Sequence, residues 1–215
     1  MTVHPADQGH GYVFHRLDCP EASPLRVSPA TVTDTDRRTT LSNGSTIVHT
    51  AEHLLSALYA AHIYHVRIEL NADEVPILDG SAKPWHDAIV AAGVVTSSHL
   101  AHGITLRRSI RVEDPDTGSW AEAIPAAYPS FEVSLSHDAQ AVGPVSAKLM
   151  PSDDYGQAIA PARTFTLATH ITPLIHRGLL KGAQPGSGIL IVDDSLSDAD
   201  WLALDNFVGQ TLERR

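Results

Sequence analysis

Val48-His49-Thr50-Ala51-Glu52-His53-Leu54-Leu55 and, a short way downstream, Glu74-Val75-Pro76-Ile77-Leu78-Asp79-Gly80-Ser81 are the stretches on which the fold of this chain turns. At about 100° per residue, a helix through the first puts His49, Glu52, His53 and Ser56 within about 100° of one another. Ile47, Ala51, Leu54, Leu55 and Leu58 then gather on the opposite side as the core stripe of an amphipathic helix. One face is chemically loaded and the other can anchor it, which makes the segment a site candidate.

Working outward, Gly11 to Arg16 reads as a strand, and Ser23 to Ser42, rich in Thr, Ser and Pro, as loop with a short strand. Ser45 or Thr46 would cap the helix that carries His49 to Leu58. His65 to Leu70 alternates like a half-buried strand. Pro84 opens a second helix, Trp85 to Ala92, closed by Gly93. Ile104 to Val112, Trp120 to Ile124 and Phe131 to Ser136 form a new series of strands. A helix follows around Pro161 to His176, then the apolar strand Gly188 to Val192. Ser197 caps a last helix running to Arg215, with Trp201, Leu204, Val208 and Leu212 as its stripe. The pattern predicts an α+β fold of two parts, 1–100 and 101–215, divided near His99 to Gly103.

Composition narrows the function classes. The chain has 215 residues, enough for one large or two small cores. Its net charge of −10 disfavours a nucleic-acid backbone as partner and leaves no polybasic membrane patch. A single cysteine, Cys19, excludes an intrachain disulfide framework and suits a reducing cytoplasm. The opening Met1 to Pro5 lacks the pattern of a signal peptide, and the longest apolar run, Ala88 to Val95, is too short to span a bilayer. Most of the 13 histidines are scattered as ordinary surface or core-edge residues; His49 and His53 stand apart because they flank Glu52.

Glu52-His53-Leu54, the run Asn71 to Ser81, Ala162-Arg163-Thr164-Phe165 and Ile191-Val192-Asp193-Asp194 together resemble the zinc-dependent UDP-3-O-acyl-N-acetylglucosamine deacetylases of the lipid A pathway, in that family's order and at similar spacing. The resemblance implies two related β-α layered domains, sandwiches like domain 2 of ribosomal protein S5, with the active-site cleft between them. It matches His53 to a zinc ligand, Glu52 to the general base and Thr164 to the residue that holds the reacting oxyanion. It also implies that Asp79, Arg163, Phe165, Leu174, Leu179 and Gln210 face substrate, the insert Ile171 to Gly182 lining an acyl-chain tunnel. The family's other two zinc ligands, a His and an Asp, fall on Gln210 and Arg214, and its following lysine on Thr211. A neutral amide is a poor zinc donor and a guanidinium cannot become one. The chain also starts after the family's opening strands and stops before its catalytic histidine, which predicts an exposed sheet edge and a homo-oligomer or partner chain that completes it.

Three readings follow. In the first, the cleft has left metal hydrolysis: Glu52 and His53 are general acid and base, and Thr164 and Arg214 stabilise negative charge, for isomerisation, dehydration or cyclisation of an acyl or polyketide-like substrate with no cofactor. In the second, His49 and His53, spaced i,i+4 around Glu52, rebuild a zinc site, with a third ligand such as His15 or Asp36, and the protein remains an N-deacetylase or amidase. In the third, the chain is a non-catalytic binding protein of the same fold.

Overall fold

The computed structural model describes residues 1–96, 103–137, 142–177, 186–192 and 196–209. The first part contains, in order, β1 (Thr2–Pro5), β2 (Tyr12–Arg16), β3 (Leu25–Arg26), β4 (Val32–Asp34), β5 (Thr40–Ser42), β6 (Ile47–His49), α1 (Glu52–Ala60), β7 (Val66–Leu70) and α2 (Lys83–Ala92). One sheet has the order β1-β7-β2-β3 and a second the order β4-β5-β6. β7 runs antiparallel to β1 and parallel to β2. A parallel pair needs a long crossover, and here that crossover holds the second sheet and α1.

Side-chain alternation decides which face of β7 is covered: Val66, Ile68 and Leu70 are buried while Arg67 is exposed. Phe14 stands opposite Ile68 in the register. Leu54 and Leu58 of α1, one turn apart, fill the space between the two sheets with Phe14, Ile68, Leu41 and Val48. Each such side chain contributes roughly 1.5–3 kcal/mol through burial. α1 is therefore held rigidly from its apolar side.

Its start differs from the spacing argument. Ile47, Val48 and His49 are strand residues paired with Ser42, Leu41 and Thr40, and the helix begins only at Glu52, after Ala51. Between them Thr50 takes a left-handed backbone (φ 59°), which breaks the chain direction. Two of those three strand residues are β-branched, which favours the pleated state. His49 thus shares no helix face with Glu52 and His53. Ser45 and Thr46 cap no helix either: the Thr46 hydroxyl donates to the Ser23 carbonyl, and the Ser45 hydroxyl accepts from Ser23 N–H.

The second part contains the hairpins β8 (Ile110–Glu113)/β9 (Trp120–Ala123) and β10 (Phe131–Leu135)/β11 (Val145–Leu149), then α3 (Tyr155–Ala158), β12 (Phe165–Leu167), α4 (Ala168–His176), β13 (Ile189–Ile191) and α5 (Asp198–Val208). The helix expected from Pro161 to His176 is instead a strand followed by a helix, because Thr164 to Leu167 is engaged by β13 in a parallel pair. α5 opens on a capping box at Ser197 and closes at Val208, where Gly209 adopts the left-handed C-cap conformation (φ 74°). The helix expected through Arg215 is therefore shorter, and Gln210, Leu212 and Arg214 lie outside the described residues. Leu204 is its fully buried residue, with Trp201 and Val208 half-buried. The architecture is α+β. Among the described residues no helix is long and apolar enough to cross a membrane.

Candidate functional site

The Glu74 to Ser81 run becomes a site wall because two separate segments bind it, and the second of them is tied in turn to β13. His49 N–H donates to the Asp73 carbonyl at 2.7 Å and Val75 N–H to the His49 carbonyl at 3.0 Å, so the run continues the edge of β6. Thr164 N–H donates to the Gly80 carbonyl at 2.7 Å, and Ile189 N–H to the Thr164 carbonyl at 2.9 Å, tying the run to β12 and β13. The Arg163 guanidinium donates to the Asp79 carbonyl at 2.6 Å, to the Gly188 carbonyl at 3.0 Å, and to the Gly186 carbonyl. Arg163 is thus a clamp between the turn and the second part of the chain, with three backbone carbonyls as its partners.

Gly80 sits at the tightest point. Its backbone is left-handed (φ 81°), and a Cβ there would lie 2.6 Å from the Ser187 carbonyl oxygen and 3.0 Å from Thr164 Cγ2. The Asp79 carboxylate accepts from Ser81 N–H at 3.0 Å and from the Ser81 hydroxyl at 2.8 Å, and Ser81 Oγ in turn accepts from Lys83 N–H at 3.1 Å. That is Asx-turn chemistry leading into α2. Asp79, expected at the substrate, is engaged in the turn.

Glu52, His53 and Thr164 line one cavity of about 660 Å³, together with Arg37, Arg38, Thr50, Glu74, Ile77, Leu78 and Ser187 among others. Glu52 and His53 are adjacent in the first turn of α1 and half-buried. Thr39 N–H donates to Glu52 Oε2 at 3.1 Å and fixes that carboxylate oxygen. The Thr50 hydroxyl donates to Glu74 Oε1 at 2.7 Å, which also lies 3.9 Å from an Arg38 guanidinium nitrogen. Three of the lining backbones are left-handed without being glycine, at Arg37 (φ 60°), Thr50 (φ 59°) and Leu78 (φ 53°). Such conformations persist where surrounding structure enforces them.

Several expected site residues lie elsewhere. His49 Nδ1 is in hydrogen-bond contact with Thr40 Oγ1 at 3.1 Å, and His49 is not among the cavity's lining residues. His15 lines a different hollow of about 240 Å³ with Arg16 and Arg67, where burial and the Arg67 charge push its pKa down. Asp36 is exposed, in a turn where its N–H donates to Asp34. Phe165 is half-buried on β12 with its ring 6.2 Å from that of His137, and Leu174 is half-buried in α4. Leu179, Gln210 and Arg214 lie outside the described residues. Arg37 and Arg38 escaped the sequence reading. Arg37-Arg38 is one of three Arg-Arg doublets, beside Arg107-Arg108 and Arg214-Arg215, so the doublet alone singles out nothing.

A neighbouring contact joins the two parts of the chain. Ser56 and Tyr155 share a hydroxyl–hydroxyl hydrogen bond of 2.7 Å, and the Tyr155 ring lies 5.5 Å from that of His86. Burial pushes the Tyr155 pKa up, against the lowering effect of the Ser56 bond.

Comparison with known proteins gives the family. The family profile described as LpxC, UDP-3-O-acyl N-acetylglycosamine deacetylase, matches residues 1–208. A bifunctional enzyme LpxC/FabZ of Chlorobaculum tepidum is 32% identical over 213 residues, covering 97% of this chain and 45% of that protein. UDP-3-O-acyl-N-acetylglucosamine deacetylases of a Nostoc species and of Chlamydia muridarum are each 34% identical, over 90% and 91% of this chain and 71% and 68% of theirs. The chain spans about half the length of the bifunctional relatives. On the profile match and these identities together, the chain belongs to the UDP-3-O-acyl N-acetylglycosamine deacetylase family.

Proposed function

We propose that this family member performs metal-independent acid–base chemistry on a substrate with an acyl or other apolar chain. One observation carries the reading: Glu52, His53 and Thr164 meet in a single cavity, with one Glu52 oxygen fixed by a backbone N–H. In such a site one member of the Glu52/His53 pair removes a proton α to a carbonyl and the other returns it. The Thr164 hydroxyl donates to the oxyanion formed between the two steps. Positioned proton transfer of this kind supplies about 10²–10⁴ in rate, and it serves isomerisation, dehydration and cyclisation alike. Arg214 would add a fixed positive charge to the same cleft.

The family implies zinc, and the donor set of this chain does not fit it. The resemblance puts the two ligands beyond His53 on Gln210 and Arg214, an amide and a guanidinium. Among the described residues no three His, Cys, Asp or Glu side chains converge to hold a metal. A second reading, zinc-dependent N-deacetylation, is favoured by what the relatives are called; it requires ligands other than His49, which is engaged in β6.

The same reading takes the fold as two related β-α layers meeting at this cleft, divided near residue 100. It takes β1 and β3, the edges of the first sheet, as places where a second copy pairs.

The test is proton exchange. Deuterium incorporation α to the carbonyl of acyl thioesters, followed by NMR, is expected with wild type in the presence of chelator and lost in Glu52→Gln with the fold retained. About one zinc per chain, together with chelator-sensitive acetate release from a UDP-3-O-acyl-N-acetylglucosamine, would replace this reading with the second.

A further inference from the structure

Charge in the cavity is unevenly satisfied. Glu52 is held by Thr39 N–H, and Glu74 by the Thr50 hydroxyl with Arg38 at 3.9 Å. Arg37 lines the same cavity, is exposed, and has no hydrogen-bond or ion-pair partner among the described residues. In a chain of net charge −10 an anion approaching this cleft meets an unfavourable field overall. An unpaired guanidinium at the cavity wall reverses that locally, and its planar fork matches two oxygens of a phosphoryl or carboxylate group.

The backbone adds a second, independent observation. Arg37 is in the left-handed region (φ 60°), where glycine costs nothing and a long side chain is strained. The turn is braced on one side by the Asp36 N–H bond to Asp34 and continues on the other into Thr39, whose N–H holds Glu52. Among the described residues the Arg37 side chain makes no bond that braces the turn, so the strain stabilises nothing there. It does deliver a free cation to the cavity from the same turn that orients the carboxylate.

We infer that Arg37 is a specificity-determining residue of this cleft, holding an anionic oxygen group of the ligand, phosphoryl or carboxylate, while the apolar portion lies along Ile77 and Leu78. The inference rests on the cavity being the ligand site, as proposed above, but not on the acid–base chemistry or on the state of any metal.

Binding separates the two ideas. Inorganic pyrophosphate and decanoate, each titrated calorimetrically into wild type, Arg37→Gly, Arg37→Lys, Glu52→Gln and Arg107→Gln, test it without turnover. Arg37→Gly removes the guanidinium and relaxes the backbone, so its melting temperature should equal or exceed that of wild type. Its affinity for at least one probe should fall about tenfold or more, the loss expected of a charge-assisted pair. Arg37→Lys should recover part of this. Glu52→Gln should bind at least as tightly as wild type, since it removes a negative charge from the same cavity; a wild type that binds anions but shows no α-proton exchange would sink the catalytic reading and leave this one standing. Loss confined to pyrophosphate assigns a phosphoryl group, loss confined to decanoate a carboxylate, and loss of both a shared anion subsite. Failure of wild type to bind either probe, unchanged affinity in Arg37→Gly, or an equal loss in Arg107→Gln would each overturn the inference.

Discussion

Gly80→Ala isolates the junction on which the site depends. Two costs are expected. The left-handed backbone (φ 81°) costs an alanine about 1–2 kcal/mol. The new Cβ also falls 2.6 Å from the Ser187 carbonyl oxygen and 3.0 Å from Gly188 Cα, both backbone atoms that cannot swing aside. Overpacking of that kind typically costs 1–3 kcal/mol, so the total is about 3 kcal/mol. Gly44→Ala is the matched control: its φ is 86°, but nothing lies within 4 Å of a Cβ there, so only the backbone cost applies. Urea unfolding of both variants gives the contact contribution by difference. In a chain of this size 3 kcal/mol lowers the melting temperature by about 6–12 °C. Because Thr164 Cγ2 is among the displaced neighbours, Gly80→Ala should also lose activity at temperatures where it remains folded. Destabilisation within about 0.5 kcal/mol of that in Gly44→Ala would refute the described packing of Gly80 against Ser187.

Two other outcomes follow from single contacts. Thr50→Val keeps the buried shape but removes the donor to Glu74. About 1 kcal/mol of stability should go with it, and unchanged urea midpoints would show that water replaces the bond at no cost. Tyr12, whose hydroxyl donates to the Ile63 carbonyl at 2.6 Å, has its pKa pushed up to about 12, chiefly by burial. The folded state then keeps a proton that the unfolded state releases from about pH 10 upward. Stability should therefore be at its full value below pH 10 and fall as pH rises toward 12. Tyr12→Phe should flatten that alkaline limb, and a parallel pH profile in the variant would exclude Tyr12 as its source.

The sequence pattern was informative where local physics is unopposed. Val66 to Leu70 alternates and is a half-buried strand; Lys83 to Ala92 is helical and ends at Gly93; Ser197 caps α5. It misled at His49 for a specific reason. Helical spacing was extended back through Ile47 and Val48, residues as compatible with a strand, and nothing in a one-dimensional pattern signals the left-handed turn at Thr50. The same ambiguity hid β12 inside an apparent helix, because its strand character comes from β13, more than twenty residues away. Of the candidate site, Glu52, His53 and Thr164 do come together, since motif order preserved them. Arg163 is occupied by the Asp79, Gly186 and Gly188 carbonyls, a partnership decided by tertiary approach, and the Asp79 carboxylate by Ser81, two residues on in its own turn. Arg37 and Arg38 were invisible because their place at the cavity is decided by where the β4–β5 turn lies.

The placement of β7 sets a timetable for synthesis. Among the described strands it alone bridges β1 and β2, yet 65 residues separate His4 from Glu69, the β7 side chain it hydrogen-bonds. At roughly 5–20 residues per second, a nascent chain carries β1 without its neighbour for about 3–13 s. β2 meanwhile has only the two residues of β3 to pair with. During that interval Phe14 and the strand edges are open to other chains, so the yield of native protein should fall when translation is slowed between Arg16 and Val66, and a holdase chaperone should restore it.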